Sequence, residues 1–275
     1  MAHLDCSFYS SALQKNAHVV AFIPSISADD YLEGRKVDYT MPGRVWPTLY
    51  LLHGSYGDCM DWSLRTSIER YAQEKGVAVI MPSGENSNYV TMQRGEDYLH
   101  YVGQELVEFT RKLFPLSTKR EYTYIAGLSM GGYGAFRVGL EYPATFGAAA
   151  SLSGALDMVL LQAAGNSEAH MSKMPRNYRR AVFRDPAALQ GTRDDLTALL
   201  VQQLAAGATL PNLYMSCGTE DFILPANESF YRAATAQGVT PTYETFAGVH
   251  NWDYWDAHIK DVLRWLPDAP AGLRN

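Results

Sequence analysis

The run Gly127-Leu128-Ser129-Met130-Gly131 constrains this chain more than any other feature, because of what flanks it. The apolar segment Tyr122–Ala126 precedes it, and a segment with Tyr133, Phe136, Val138 and Leu140 at helical spacing follows. Strand, sharp turn and helix in that order hold a serine exposed at the tip of the turn. The glycines serve the turn, since it presses neighbouring backbone together and leaves no room for Cβ atoms. Five residues are a weak signal in a chain with 22 glycines, and a serine before a helix is also a plain N-cap. The flanking order favours the exposed serine.

A serine hydroxyl attacks only when a base takes its proton, and that base is normally a histidine oriented by a carboxylate. On a strand-turn-helix serine these partners follow in the order Ser, Asp, His. Asp221 comes directly after the apolar run Leu213–Cys217, and His250 follows the run Thr242–Phe246. Glu220 stands beside Asp221 as an alternative orienting acid, because either carboxylate can serve. His258 falls one turn from Trp255 and Val262 on an expected terminal helix, where packing suits it better than catalysis. His3, His18, His100 and His170 lie before the expected loop or in patterned segments.

The rest of the chain agrees with a mostly parallel sheet. Strands are expected at His18–Pro24, Thr48–Leu52, Val77–Met81, Tyr122–Ala126, Phe146–Ser151, Leu213–Cys217 and Thr242–Phe246, several of them separated by helical patterns. Tyr98, Tyr101, Val102, Leu106, Phe109 and Leu113 predict an amphipathic helix ending near Pro115. Residues 155–210 break the rhythm, with Met171, Met174, Pro175, Arg176, Arg179 and Arg180 among short helical patterns. They are expected to form a small insertion over the sheet's carboxyl edge, within a single domain spanning 1–275. In such sheets ligands bind outside the carboxyl ends of the strands, and Ser129, Asp221 and His250 all fall there.

Composition narrows the partners. A net charge of −6 without a long Lys/Arg run disfavours nucleic acid. No apolar stretch reaches the roughly 20 residues of a membrane span. The start, Met1 to Leu13, does not read as a secretory signal. Three widely spaced cysteines, Cys6, Cys59 and Cys217, suggest neither zinc nor redox chemistry, so a cytoplasmic setting is expected. Monomer or homo-oligomer is left open.

A serine nucleophile also needs two N–H groups for the oxyanion, one from the residue after it and one from the loop after an earlier strand. Met130 supplies the first. Ser55, with Gly54 as the alternative, supplies the second from Leu51-Leu52-His53-Gly54-Ser55-Tyr56-Gly57, which reads otherwise as a mere strand-ending turn. Tyr56, Trp62, Tyr89 and Tyr98 surround the early loops and are candidate pocket residues, although any one of them could be simple packing.

Four stretches carry a wider resemblance: Pro47–Gly54, Gly127–Gly134, Cys217–Phe222 and Gly248–Trp255. In this order they resemble the esterase D-like branch of the α/β hydrolases, the putative esterase family, and within it the tributyrin and cinnamoyl or feruloyl esterases. The resemblance implies the α/β-hydrolase fold, short-acyl or aryl ester substrates, a triad at Ser129, Asp221 and His250, and oxyanion donors at Met130 and Ser55. S-formylglutathione hydrolases carry an apolar residue and a nearby cysteine after the His-Gly pair. Here the run is Ser55-Tyr56-Gly57-Asp58-Cys59, which weakens a glutathione thioesterase reading and leaves it the alternative. A binding protein on the same fold is more distant, since binding alone needs no complete triad. Two-step acyl transfer on a small-molecule ester needs no metal and no organic cofactor, because backbone N–H groups and an imidazole handle charge and proton.

Overall fold

Eight strands hydrogen-bond into one sheet among the residues that the computed structural model describes, 1–26, 31–34, 45–163, 180–183 and 188–268. They are β1 (Ala2–Ser10), β2 (Lys15–Ile23), β3 (Thr48–Leu52), β4 (Ala78–Pro82), β5 (Thr123–Leu128), β6 (Ala148–Leu152), β7 (Asn212–Gly218) and β8 (Thr242–Phe246). Their spatial order is β1-β2-β4-β3-β5-β6-β7-β8. β1–β2 and β2–β4 are antiparallel and every later pairing is parallel. This is the α/β-hydrolase fold.

Strand alternation explains why β3 to β6 are apolar at nearly every position. Leu49 and Leu51 enter one apolar cluster while Tyr50 and Leu52 enter the other, so all five β3 residues are buried. One face is covered by α1 (Asp61–Arg65), α2 (Ile68–Lys75) and, at the end of the chain, α8 (Trp252–Trp265), through Trp62, Ile68, Tyr71 and Ile259. The other is covered by α3 (Leu106–Leu113), α4 (Met130–Glu141), α6 (Leu196–Ala205) and α7 (Leu224–Ala236), through Leu106, Phe136, Leu199 and Phe230. The short α5 (Met158–Ala163) lies between α4 and α6 in sequence.

Expected and observed strands agree to within three residues at each end, with one omission. β1 lies in the polar start of the chain and was not expected. It is an edge strand whose Leu4, Cys6 and Phe8 are half-buried while Asp5, Ser7 and Tyr9 are exposed, and so few apolar residues leave little signal. The amphipathic helix is present but interrupted, as an α turn Tyr98–His100 and a π-helical turn Tyr101–Glu105 lead into α3. It ends at Phe114, one residue before Pro115.

The stretch expected to be an insertion has two characters. Residues 164–179 and 184–187, including Met171, Met174, Pro175, Arg176 and Arg179, lie outside the described residues. Arg180 is described and exposed. The final part forms α6, whose Leu196, Leu199 and Leu200 belong to the core. The returning chain is anchored on α4: Tyr133 donates to the carbonyl of Asp194 at 2.7 Å, and the buried Arg137 binds Asp194 at 2.9 Å and Glu141 at 2.6 Å.

In-register parallel pairing sets Leu52 beside Gly127, Gly127 beside Ser151 and Cys217 beside Thr245. The residues that follow β3, β5, β7 and β8 therefore emerge along one edge. There β5 turns into α4 so close to β3 that a Cβ on Gly131 would lie 2.5 Å from the carbonyl oxygen of His53 and 2.6 Å from that of Leu52. Both obstacles are backbone. Gly131→Ala is expected to cost about 1–3 kcal/mol as an overpacking substitution, seen as a lower urea midpoint; an unchanged midpoint would show a looser crossing.

Candidate active site

Ser129 sits between β5 and α4 at φ 52° and ψ −116°, a strained backbone for a residue with a Cβ. The turn is pinned from both sides. Its N–H donates to the carbonyl of Leu152 at 2.9 Å, and its carbonyl accepts from Gly132 and Tyr133, each at 3.1 Å, and from Ala155 at 3.3 Å. A Cβ on Gly127 would meet the carbonyl oxygen of Gly131 at 2.4 Å, so glycine is required for the two arms of the turn to approach.

His250 Nε2 lies 2.9 Å from Ser129 Oγ, and its Nδ1 lies 2.9 Å and 3.1 Å from the two carboxylate oxygens of Asp221. An ionised carboxylate only accepts, so Nδ1 carries the hydrogen and Nε2 is left as acceptor for the serine hydroxyl. The Asp221 side chain is fully buried. Its Oδ1 also accepts from the N–H of Ile223 at 3.0 Å.

Glu220, the alternative acid, is turned elsewhere. Its Oε2 accepts from the N–H of Gly248 at 2.7 Å and its own N–H donates to the Gly248 carbonyl at 3.1 Å. The Gly248 N–H, followed by the Thr219 hydroxyl, holds its carboxyl below the usual range. Glu220 thus ties together the loops that carry Asp221 and His250. His258 is packed between the rings of Phe246 and Tyr254 and bonds Asp261 at 2.7 Å.

Met130 and Ser55 both line the cleft beside Ser129. Met130 is the first residue of α4, where the N–H has no acceptor within the helix. In the loop after β3, Tyr56 N–H donates to Asn86 Oδ1 at 2.7 Å and Gly57 N–H to the Gly54 carbonyl at 3.3 Å. Ser55 N–H has no acceptor among the described residues. Gly54 also lines the cleft.

The sequence placed His53 in the expected oxyanion loop without giving its side chain a role, yet its buried ring organises this loop. Gly84 N–H donates to Nε2 at 2.8 Å, so that nitrogen is unprotonated, and Nδ1 is 2.7 Å from the Gly54 carbonyl, to which it must donate. Burial holds the imidazole below the ordinary histidine range, against weaker opposite pulls from the Gly54 bond and from Asp61 and Asp58. The ring is neutral, with its hydrogen on Nδ1.

The cleft above Ser129 has a volume of about 350 Å³. Its walls include Leu128, Ala155, Leu161, Ile223, Trp252 and Trp255, together with Asp61, Asn88 and the exposed Tyr56 and Phe222. Of the four aromatic candidates only Tyr56 lines it, 60% exposed. Trp62, Tyr89 and Tyr98 are buried and line no part of it. Trp62 donates its indole N–H to the Leu52 carbonyl at 3.0 Å and backs Trp252 edge-on. Tyr98 is engaged with Lys15 at 3.0 Å. Tyr89 donates its hydroxyl to the His53 carbonyl at 3.0 Å. Proximity to a motif in sequence does not reveal which way a ring faces.

Among the described residues no group of three or more His, Cys, Asp or Glu side chains could hold a metal ion, and no helix is long and apolar enough to cross a membrane.

Comparison with known proteins gives the family of the chain. The family described as putative esterase matches residues 36–266. An acetyl esterase of Caldicellulosiruptor saccharolyticus is 37% identical over 268 residues, covering 97% of this chain and 98% of its own. Fluorophosphonate-binding serine hydrolase F of Staphylococcus aureus, solved with substrate bound, superposes with a TM-score of 0.85 at 29% identity, covering 96% of this chain and 98% of its own. The S-formylglutathione hydrolase FrmB of the same organism gives 0.81, also at 29% identity and with the same coverage.

The buried position of Tyr89 generates a test. Tyr89→Phe leaves the His53 carbonyl without its donor, which is expected to cost about 1–3 kcal/mol of stability, while KM for a small ester stays unchanged. A raised KM at full stability would return Tyr89 to the substrate pocket.

Proposed function

The chain belongs to the putative esterase family and hydrolyses carboxylic esters, and from that premise we propose that Ser129, His250 and Asp221 do the chemistry. The observation that carries this is the unbroken chain of hydrogen bonds from Ser129 Oγ through His250 to Asp221. Oγ attacks the ester carbonyl carbon as its proton passes to His250 Nε2, and the carbonyl oxygen becomes an oxyanion facing the N–H groups of Met130 and Ser55. When the tetrahedral intermediate collapses, the alcohol leaves with the proton from Nε2 and the acyl group stays on Oγ. Water, deprotonated by the same nitrogen, then releases the acid. Asp221 stabilises the imidazolium formed in each half.

We assign the substrates as small esters with a short acyl or a flat aryl group. A cleft of about 350 Å³ with Leu161, Trp252 and Trp255 in its walls supports a short acyl chain. Each methylene buried adds about 0.8 kcal/mol until the chain meets the wall. Thioester cleavage of the S-formylglutathione hydrolase type is the second reading, favoured by the likeness to FrmB. Against it, Asp61 lines the cleft and none of the described lining residues is Lys or Arg, so a glutathione leaving group with two carboxylates gains no counter-charge there.

On this reading Asp221→Asn lowers kcat by about 10⁴-fold, because the wrong tautomer of His250 faces the serine. Glu220→Gln stays within about tenfold of the parent; equal losses would reassign the orienting acid. Rates on 4-nitrophenyl esters are expected to peak between acetate and butyrate and to fall steeply by octanoate. A series that rises through decanoate would replace the small cleft by a lipase-like groove. Methyl ferulate and S-formylglutathione assayed beside the series separate aryl ester from thioester preference.

A further inference from the structure

We infer that His53 is a positioning residue for the oxyanion hole, aiming and polarising the Ser55 N–H through its hydrogen bond to the Gly54 carbonyl. The inference rests on the proposed reading of Met130 and Ser55 as oxyanion donors. Its geometric basis is the peptide joining Gly54 to Ser55. There are no cis peptide bonds among the described residues, so the carbonyl and N–H of this planar unit point in opposite directions. His53 Nδ1–H holds the carbonyl at 2.7 Å on the buried side. The Ser55 N–H must then face away from the ring, on the side where Ser55 lines the cleft.

The ring is fixed independently of that peptide. Gly84 N–H donates to Nε2 at 2.8 Å, and Tyr89 donates to the residue's own carbonyl. Two further bonds tie the same loops, Tyr56 N–H to Asn86 and Cys59 N–H to Ser83 Oγ. A directional chain results: Gly84 N–H to His53, His53 N–H to Gly54 C=O, and Ser55 N–H to the cleft. Hydrogen bonds in such a chain strengthen one another. A donation to the Gly54 oxygen therefore makes the Ser55 N–H a better donor at the moment negative charge develops on the substrate oxygen.

Three substitutions test this in the full chain. His53→Asn keeps a donor near the place of Nδ1, His53→Gln keeps only a group that can reach Gly84, and His53→Phe fills the space with neither. Relative to the parent, kcat/KM on 4-nitrophenyl acetate is expected to fall by about 10²-fold in the Gln and Phe variants, the lower end for loss of an oxyanion donor. The Asn variant stays within about tenfold. KM should change little, since the interaction belongs to the transition state. The second readout is inhibition by phenyl trifluoromethyl ketone, whose oxygen becomes an oxyanion when Ser129 adds to it. Its affinity should fall in the Gln and Phe variants by the same factor as kcat/KM. A merely structural histidine would lower the unfolding midpoint without this parallel and without placing Asn above Gln, and that pattern overturns the proposal. The Asn and Gln pair decides the matter if the Phe variant does not fold. If Ser129→Ala keeps its turnover, or the ketone does not add to Ser129 in the parent, the reading of the site fails. If the ketone inhibits the parent through Ser129 and binds all His53 variants equally, the His53 inference fails alone.

Discussion

Between Gly131 on α4 and the carbonyls of Leu52 and His53 there is no space for a Cβ, and Gly127 meets the carbonyl of Gly131 just as closely. Three stretches of backbone meet here: the end of β3, the end of β5 and the first turn of α4. Their contact forces Ser129 into its positive φ and sets it beside the loop that carries Ser55. Strain of about 1–3 kcal/mol at such a residue persists only where its surroundings over-determine it, and here the hydrogen bond to the Leu152 carbonyl and those from the N–H groups of Gly132, Tyr133 and Ala155 do so. The position of the hydroxyl is thus a property of the sheet and helix, not of a loose loop.

Around that fixed point the remaining groups arrive on loops that brace one another in pairs. The loops after β7 and β8 are joined through Glu220 and Gly248, which sets Asp221 and His250 at bonding distance. The loops after β3 and β4 are joined through His53, Tyr56, Cys59 and Tyr89. Lys15 in the turn end of β2 holds Glu85 and Glu96 and extends this bracing to the β1–β2 hairpin. Groups behind and beside the cleft, from the buried His53 and Tyr89 to the exposed Glu220, therefore hold its loops in place.

Much of this was legible in the residues alone. A serine between a strand and a helix, followed in order by a carboxylate and a histidine after later strands, locates three groups that the folded chain does bring together. Parallel pairing is what makes that reading work, because it delivers every strand's carboxyl end to one edge. Orientation within a loop was less legible. Trp62, Tyr89 and Tyr98 lie near the motifs yet face the core, whereas Trp252 and Trp255, three residues apart on the first turn of α8, face the cleft. The role of the His53 ring was not legible within its loop because its two partners, Gly84 and Gly54, are backbone groups that no side-chain pattern announces. The strand β1 escaped notice for a related reason: an edge strand needs only one half-buried row.

The order of the strands bears on how the chain comes off the ribosome. β1 and β2 emerge first but dock on β4, so the hairpin must wait for a partner made later. From β6 onward each strand pairs with the one just before it, and the sheet can grow as it is synthesised. Ser129 is then seated on its turn while more than a hundred residues are still to be added, and His250 comes after the last strand. On the proposed roles, the growing chain holds a nucleophile without its base over the 121 positions from Ser129 to His250, and it cannot act on esters until the loop after β8 has been made.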